Sequence, residues 1–124
     1  MKAAALQMVS GSDVQRNLND AHALLQQAAQ DGVELAVLPE YFCLLGRKDT
    51  DKLDIQEPFG QGPVQDFLAH AAKSLGLWIV GGTLPLSTDD PQRVRNSSLA
   101  FSPDGQSLAV GTADQAAAGF VGAG

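Results

Sequence analysis

The sequence predicts a layered α/β domain, because two stretches of helical periodicity alternate with three short apolar runs and a hairpin pattern follows them. The order along the chain is strand, helix, strand, helix, strand and hairpin. A chain of 124 residues is within the usual range for one domain, and it contains no internal repeat. We therefore expect one domain, or part of one, rather than two.

The first half of the chain predicts a strand, a helix and a second strand. Residues 2–9, KAAALQMV, are apolar enough for a buried strand. A helix follows, with Ser12 or Asp13 as its N-cap and Gly32 at its end. Its apolar stripe, spaced by three and four, consists of Val14, Leu18, Ala21, Leu25 and Ala28. The continuous apolar run ELAVL, residues 34–38, then predicts a central strand covered on both faces.

The second half predicts a surface excursion, a second helix, a third strand and a hairpin. Residues 43–62 are charged and rich in turn formers, which indicates a long loop. Pro63 suits a helix N-terminus, and the helix should end near Gly76. Its apolar stripe consists of Val64, Phe67, Leu68, Ala71 and Leu75. LWIVGG, residues 77–82, predicts a strand, and residues 95–110 predict two strands joined by an SPDG turn.

The tail, residues 111–124, differs in composition from the rest of the chain. It is mostly Ala and Gly, with one charged residue and little periodicity, so we expect it to be poorly ordered. The expected division is a domain over residues 1–110 and an aberrant tail over residues 111–124. An altered reading frame after Val110 is one hypothesis for this change, and the coding DNA would test it.

Composition excludes several classes of function. The formal net charge of -6 provides no basic stripe for phosphates, so we expect no nucleic-acid partner and no membrane partner. The N-terminal segment is too short and polar for a secretory signal, which makes a cytoplasmic location the expectation. With Cys43 as the single cysteine, neither an intrachain disulfide nor a thiolate metal cluster can form.

Glu40 is the candidate catalytic residue, because it follows the predicted central strand directly. Pro39 lacks an amide hydrogen and restricts Leu38, so the strand ladder should end there. Glu40 then lies at the C-terminal mouth of the strand, where sites in α/β proteins usually form. The alternative is a loop carboxylate paired with Arg47 or Lys48.

Other residues near Glu40 have simpler interpretations. Cys43 is three residues away along an extended segment, which points the two side chains apart, and we predict a small buried thiol rather than a nucleophile. Tyr41 and Phe42 could line a pocket, but packing beside a core strand is the more common role. Glu57 could support the site or be a solvated loop acid. The two histidines need only surface roles.

Three segments together resemble the N-terminal part of the nitrilase, or carbon-nitrogen hydrolase, superfamily: LAVLPEYF, the helical segment GPVQDFLAHAAKSLGLWIVGGTLPL and the hairpin NSSLAFSPDGQSLA. The resemblance runs from Met1 to about Val110. PEYFCLLGRKDTDKL is most similar to the branch that contains omega-amidases and deaminated-glutathione amidases. The resemblance implies a four-layer α-β-β-α sandwich, of which this chain would be a truncated N-terminal part, and pairing of subunits through helical faces.

The resemblance also implies hydrolysis of small non-peptide amides by a Glu-Lys-Cys triad, with no metal or organic cofactor. Glu40 matches the first triad member. The family lysine aligns with AVGTADQ, but no lysine occurs between Gln92 and Gly124, and the family cysteine lies farther downstream.

The incomplete triad leaves two hypotheses. The chain is an amidase by descent that is itself inactive, or it is a non-catalytic truncated fragment that only associates with other chains. Because a partial sheet exposes an edge and an inner face, we expect self-association.

Overall fold

The computed structural model describes residues 1–46, 48 and 51–116. Along the chain the elements are β1 (Ala3–Ala5), α1 (Val14–Gln30), β2 (Leu35–Val37), α2 (Asp51–Asp54), α3 (Pro63–Leu75), β3 (Trp78–Val80), β4 (Leu84–Ser87), β5 (Arg93–Phe101) and β6 (Ser107–Ala116). The predicted α/β class is therefore confirmed.

The strands form one mixed sheet. β1, β2 and β3 are parallel neighbours, and β5 runs antiparallel to β3. β3 and β4 pair with successive parts of β5, while β6 pairs with β5 over nearly its whole length. β3 and β4 therefore share one edge of β5, and β6 occupies the other. The parallel part of the sheet brings the C-terminal ends of β1, β2 and β3 to one side.

The two long helices form where the apolar stripes predicted them. Asp13 caps α1, and its carboxylate accepts a hydrogen bond from the backbone N–H of Arg16 at 3.2 Å. Gly62 precedes α3, and Gly76 ends it in the left-handed conformation, with φ of 68°. The buried residues of α1 are Asn17, Leu18, Ala21, Leu25 and Ala28. Both predicted helices are confirmed, although Asn17 was not expected in the stripe.

Both helices cover the same face of the sheet and enclose one core. Ala36 of β2, Ile79 of β3 and Leu99 of β5 are fully buried against this layer. Leu25 of α1 and Leu68 of α3 are also fully buried. The described chain thus comprises one helical layer on one sheet, the two-layer unit that is needed to bury the apolar side of each.

The first strand differs from its prediction in length and burial. The sequence predicted a buried strand over residues 2–9, but β1 is Ala3–Ala5, and Ala3 and Ala5 are exposed. Among the described strands, β1 pairs with β2 alone. An apolar run therefore indicated a strand correctly but did not distinguish an edge from a central position.

The strand β4 was missed because it contains a proline. Pro85 cannot donate a ladder hydrogen bond, and the sequence predicted no strand over residues 83–87. In the structure Pro85 is the register partner of Asn96 in β5. On the other side, its carbonyl accepts a hydrogen bond from the N–H of Glu57 at 3.1 Å. The predicted excursion over residues 43–62 therefore returns to the sheet and also contains the short helix α2.

The last strand extends into the segment for which poor order was expected. β6 continues to Ala116, and residues 111–116 pair with residues 93–98 of β5. Strand pairing uses backbone groups, so low side-chain periodicity did not prevent it. Residues 117–124 lie outside the described part of the chain.

Candidate active site

Glu40 lies at the C-terminal mouth of β2, as the proline signal predicted. The ladder continues one residue past the strand, because the N–H of Leu38 donates to the carbonyl of Val80 at 2.9 Å. Pro39 then ends the pairing, and the Glu40 side chain is exposed. A carboxylate at this position can accept a proton from a group that approaches the sheet edge.

The turn that carries Glu40 is packed against the connection between β3 and β4. Gly82 has φ of 59°, and a Cβ at this position would stand 2.1 Å from the carbonyl oxygen of Pro39. The next residue, Thr83, accepts a hydrogen bond from the N–H of Tyr41 at 3.0 Å. The connection thus touches the backbone on both sides of Glu40.

Tyr41 has an unusual backbone conformation and contacts Thr83, Asn96 and Lys52. It is the only non-glycine residue with positive φ in the described chain, at 53°. Besides its bond to Thr83, its hydroxyl lies 3.4 Å from Nδ2 of buried Asn96, and the Lys52 ammonium lies 5.6 Å from its ring centroid. Within the described residues, Oδ1 of Asn96 is buried without a hydrogen-bond partner. The Tyr41 side chain is therefore half-buried, and its contacts favour a packing role over the lining of a pocket.

A buried asparagine joins the loops that follow β1 and β2. Asn17 exchanges two hydrogen bonds with the backbone of Gly11, both at 2.9 Å, and its Nδ2 also donates to the carbonyl of Cys43 at 2.9 Å. A cavity of about 300 Å³ opens beside this point, lined by residues 9–13, 16 and 17. Glu40 does not line it. Asn17 fixes the loop after Glu40 to α1, a role that its place in an apolar stripe could have signalled.

Cys43 is a buried thiol, as predicted. Its exposed fraction is 1%, and burial raises its pKa to about 12, with a smaller contribution from the negative charge of Glu57. A thiol with this pKa has almost no thiolate near neutral pH, and thiolate is the reactive form. The environment therefore supports packing rather than nucleophilic attack.

Glu57 is neither a solvated loop acid nor part of the Glu40 turn, which corrects the sequence interpretation. Its exposed fraction is 5%. Its carboxylate accepts hydrogen bonds from the N–H groups of Val64 and Gln65 at 2.8 and 3.2 Å, and from Nε2 of Gln65 at 3.1 Å. A Cβ at Gly62 would meet this carboxylate at 2.4 Å. Glu57 therefore caps α3 from outside the helix, where a negative charge is favourable.

His22 has a packing contact of its own. His22 stacks edge to face on Phe67, with ring centroids 6.2 Å apart, at the contact between α1 and α3. Arg47, one proposed partner of Glu40, lies outside the described residues, and Lys48 is exposed. In the parts of the chain that the structure describes, His, Cys, Asp and Glu form no group of three that could hold a metal ion, and no helix is long and apolar enough to cross a membrane.

Sequence comparison identifies relatives among amidases. Residues 2–116 match the carbon-nitrogen hydrolase family model, so the match ends six residues beyond the expected boundary at Val110. Deaminated glutathione amidase of Synechocystis sp. is 33% identical over 108 residues, which cover 86% of this chain and 39% of that protein. Omega-amidase NIT2-B of Xenopus laevis is 33% identical over 93 residues, covering 74% of this chain and 32% of that protein. The chain thus spans about a third to two fifths of these relatives.

Solved structures match in the same way. Nit3 of Saccharomyces cerevisiae, a member of branch 10 of the nitrilase superfamily, superposes with a TM-score of 0.76 at 23% identity, covering 93% of this chain and 44% of that one. The carbon-nitrogen hydrolase superfamily protein XC1258 of Xanthomonas campestris gives a TM-score of 0.64 at 29% identity, covering 82% and 37%. The fold is therefore that of the nitrilase superfamily, as predicted. The chain corresponds to the N-terminal part of the sandwich. The chain belongs to the carbon-nitrogen hydrolase family.

Proposed function

We propose that Glu40 is the general-base position of an amidase that hydrolyses small non-peptide amides to acid and ammonia, and that the chain alone is inactive. The observation that carries the proposal is the exposed carboxylate at the mouth of β2, within a family match over residues 2–116. The names of the relatives, deaminated glutathione amidase and omega-amidase, favour a small carboxylate-bearing amide as substrate.

The chemistry explains why one carboxylate is insufficient. Amide hydrolysis through a covalent intermediate needs a nucleophile, a base that takes its proton and later delivers one to the leaving ammonia, and donors for the oxyanion. Glu40 can serve only as the base. Cys43 is buried with a raised pKa, and no lysine occurs between Gln92 and Gly124. The proposed mechanism therefore requires a lysine, which this chain lacks at the aligned segment AVGTADQ, and a cysteine that the family resemblance places farther downstream.

Ammonia release by the 124-residue chain tests the inactive state. A panel of small amides, including omega-amides of keto acids, is incubated with the chain and with Glu40→Gln. Glu34→Gln is the matched control, because Glu34 is also exposed but lies at the opposite end of β2. We expect no release above the blank from any of the three. Release that Glu40→Gln abolishes and Glu34→Gln retains would contradict inactivity.

A chimera tests the role of Glu40 itself. Residues 1–108 are joined to the Synechocystis amidase from the segment that aligns with AVGTADQ onward, which by family resemblance supplies the lysine and the cysteine. We expect ammonia release, reduced about 100-fold or more by Glu40→Gln and unchanged by Glu34→Gln, because general-base catalysis is worth about 10²–10⁴. An active chimera with an active Glu40→Gln variant would refute the assignment.

The second candidate is a non-catalytic chain that associates with other copies or chains. The exposed apolar residues Trp78, 47% exposed, and Leu108, 69% exposed, favour it. β6 also pairs with β5 alone in the described sheet. This candidate includes the expected self-association, a cytoplasmic location and the absence of nucleic-acid and membrane partners. It retains the expected domain over residues 1–110 and an aberrant tail over residues 111–124, the first six residues of which extend β6.

A further inference from the structure

We propose that Thr83 is a positioning residue for Glu40 and acts through the backbone of Tyr41. Gly82 acts on the other side of Glu40, by close contact with the backbone of Pro39. The inference rests on the proposed role of Glu40 and adds the residues that hold its carboxylate in place. None of these contacts involves the Glu40 side chain itself, which is exposed.

The first step of the inference is the backbone conformation of Tyr41. Its φ of 53° lies in the left-handed region, which bulky residues with a Cβ rarely occupy. Such a conformation persists only where surrounding contacts determine it. Because Tyr41 follows Glu40 directly, its φ sets the orientation of the Glu40–Tyr41 peptide relative to the chain that follows. A relaxation of Tyr41 to negative φ would therefore rotate the Glu40 turn.

The second step is the contact that determines this conformation. Thr83 is 8% exposed, and its hydroxyl accepts the Tyr41 N–H at 3.0 Å. Burial of the acceptor limits competition from water, so the bond can hold the amide in one orientation. Asn96 and Lys52 contact the Tyr41 side chain, whereas Thr83 is bonded to its backbone N–H.

The third step is the contact on the other side of Glu40. Gly82 approaches the Pro39 carbonyl so closely that a Cβ there would stand 2.1 Å from its oxygen. Pro39 and Tyr41, the two neighbours of Glu40, are thus held by consecutive residues of one connection. The arrangement fixes the backbone of Glu40 and leaves its side chain exposed, which is what a proton-transfer group needs.

Substitution of Thr83 in the 124-residue chain tests the inference by NMR. Thr83→Val keeps the shape and removes the acceptor, whereas Thr83→Ser keeps the hydroxyl. We expect Thr83→Val to accelerate hydrogen exchange of the Tyr41 amide roughly twofold to tenfold, the loss of one hydrogen bond. The order parameter of the Glu40 N–H should fall from about 0.85 toward 0.6 or below. Thr83→Ser should restore both values.

The matched control is Thr88→Val, because the Thr88 hydroxyl bonds the carbonyls of Asp90 and Arg93 in the next connection, at 2.9 and 3.2 Å. Unchanged Tyr41 exchange in Thr83→Val, or an equal change in Thr88→Val, would overturn the proposal. If Thr83→Val does not fold, wild-type exchange decides: a Tyr41 amide that exchanges at its unprotected rate is incompatible with the bond.

The test is independent of turnover. If Glu40→Gln leaves the chimera active while Thr83→Val still loosens Glu40, the proposed function fails and the positioning contact stands. If Glu40 is essential but Thr83→Val changes neither readout, only the positioning inference fails.

Discussion

The two faces of the sheet differ in what covers them. Ala36 of β2 and its register partner Ile79 of β3 are fully buried under α1 and α3. One residue earlier in each strand, Leu35 is only half-buried, and its partner Trp78 is 47% exposed. Side chains alternate between faces along a strand, so the two pairs report opposite sides. The helices complete one face and leave apolar residues on the other.

This difference explains why the central strands were predicted as apolar on both sides. Parallel strands with both faces covered read as continuous apolar runs, and β2 and β3 have that composition. The described chain supplies a cover for one face. The open face is therefore apolar without being packed, the situation that favours association with another surface.

The largest expected effect lies on the covered face. Leu68 is fully buried in α3 and stands so close to Gly81 that a Cβ there would lie 2.6 Å from its Cδ1. Leu68→Ala should lower the free energy of unfolding by about 2–5 kcal/mol in urea titrations. Leu108→Ala, at an exposed position, should change it by about 0.5 kcal/mol or less. Equal losses in the free energy of unfolding for the two variants would contradict the difference in packing between the two faces.

The helix cap should have the next largest effect, because it holds the covering layer in place. Glu57→Ala leaves the N–H groups of Val64 and Gln65 without their buried charged acceptor. We expect a loss of about 2–3 kcal/mol in the free energy of unfolding. Asp66→Ala, an exposed acid in the first turn of the same helix, should cost no more than about 1 kcal/mol. A smaller loss for Glu57 than for Asp66 would contradict the capping role.

The buried thiol gives a pH dependence of known sign. The pKa of Cys43 is raised from 9.0 to about 12 in the folded chain, so folding favours the neutral thiol. Its contribution is fully present below pH 9 and is lost as the pH rises toward 12, by about 1.4 kcal/mol per pH unit. Between pH 8 and 10, urea titrations should show a total loss of about 1.4 kcal/mol in the free energy of unfolding of wild type relative to Cys43→Ala. Parallel curves would indicate an accessible thiol.

The smallest effect on stability is expected on the open face. Trp78 is 47% exposed, so Trp78→Ser removes only part of a packed side chain. The free energy of unfolding of the monomer should change by about 1 kcal/mol or less, measured at the lowest workable concentration. A loss as large as that of Leu68→Ala would mean that Trp78 is packed within the chain itself.

The parts of the fold that depend on local pattern were predictable. The stripes of α1 and α3 repeat every three and four residues, and Pro39 marked the end of β2 and hence the place of Glu40. β4 was missed because Pro85 argues against a strand, and the pairing with β5 overrides that local signal.

The contacts around Glu40 were not predictable in the same way. Asn17 and Thr83 act on residues 26 and 42 positions away, on Cys43 and Tyr41 respectively. Such partners are set by how the loops meet in three dimensions. The place of Asn17 in an apolar stripe signals its burial but not its partner. Glu57 illustrates the point, since a charged residue in a polar loop became a buried cap.

Sedimentation velocity of the wild-type chain and of Trp78→Ser, over a range of concentrations, tests the difference between the two faces most directly. We predict that the wild-type chain associates as its concentration rises, and that Trp78→Ser weakens this association while remaining folded. A wild-type chain that stays monomeric at every concentration, with a cooperative unfolding transition, would contradict association through the open face.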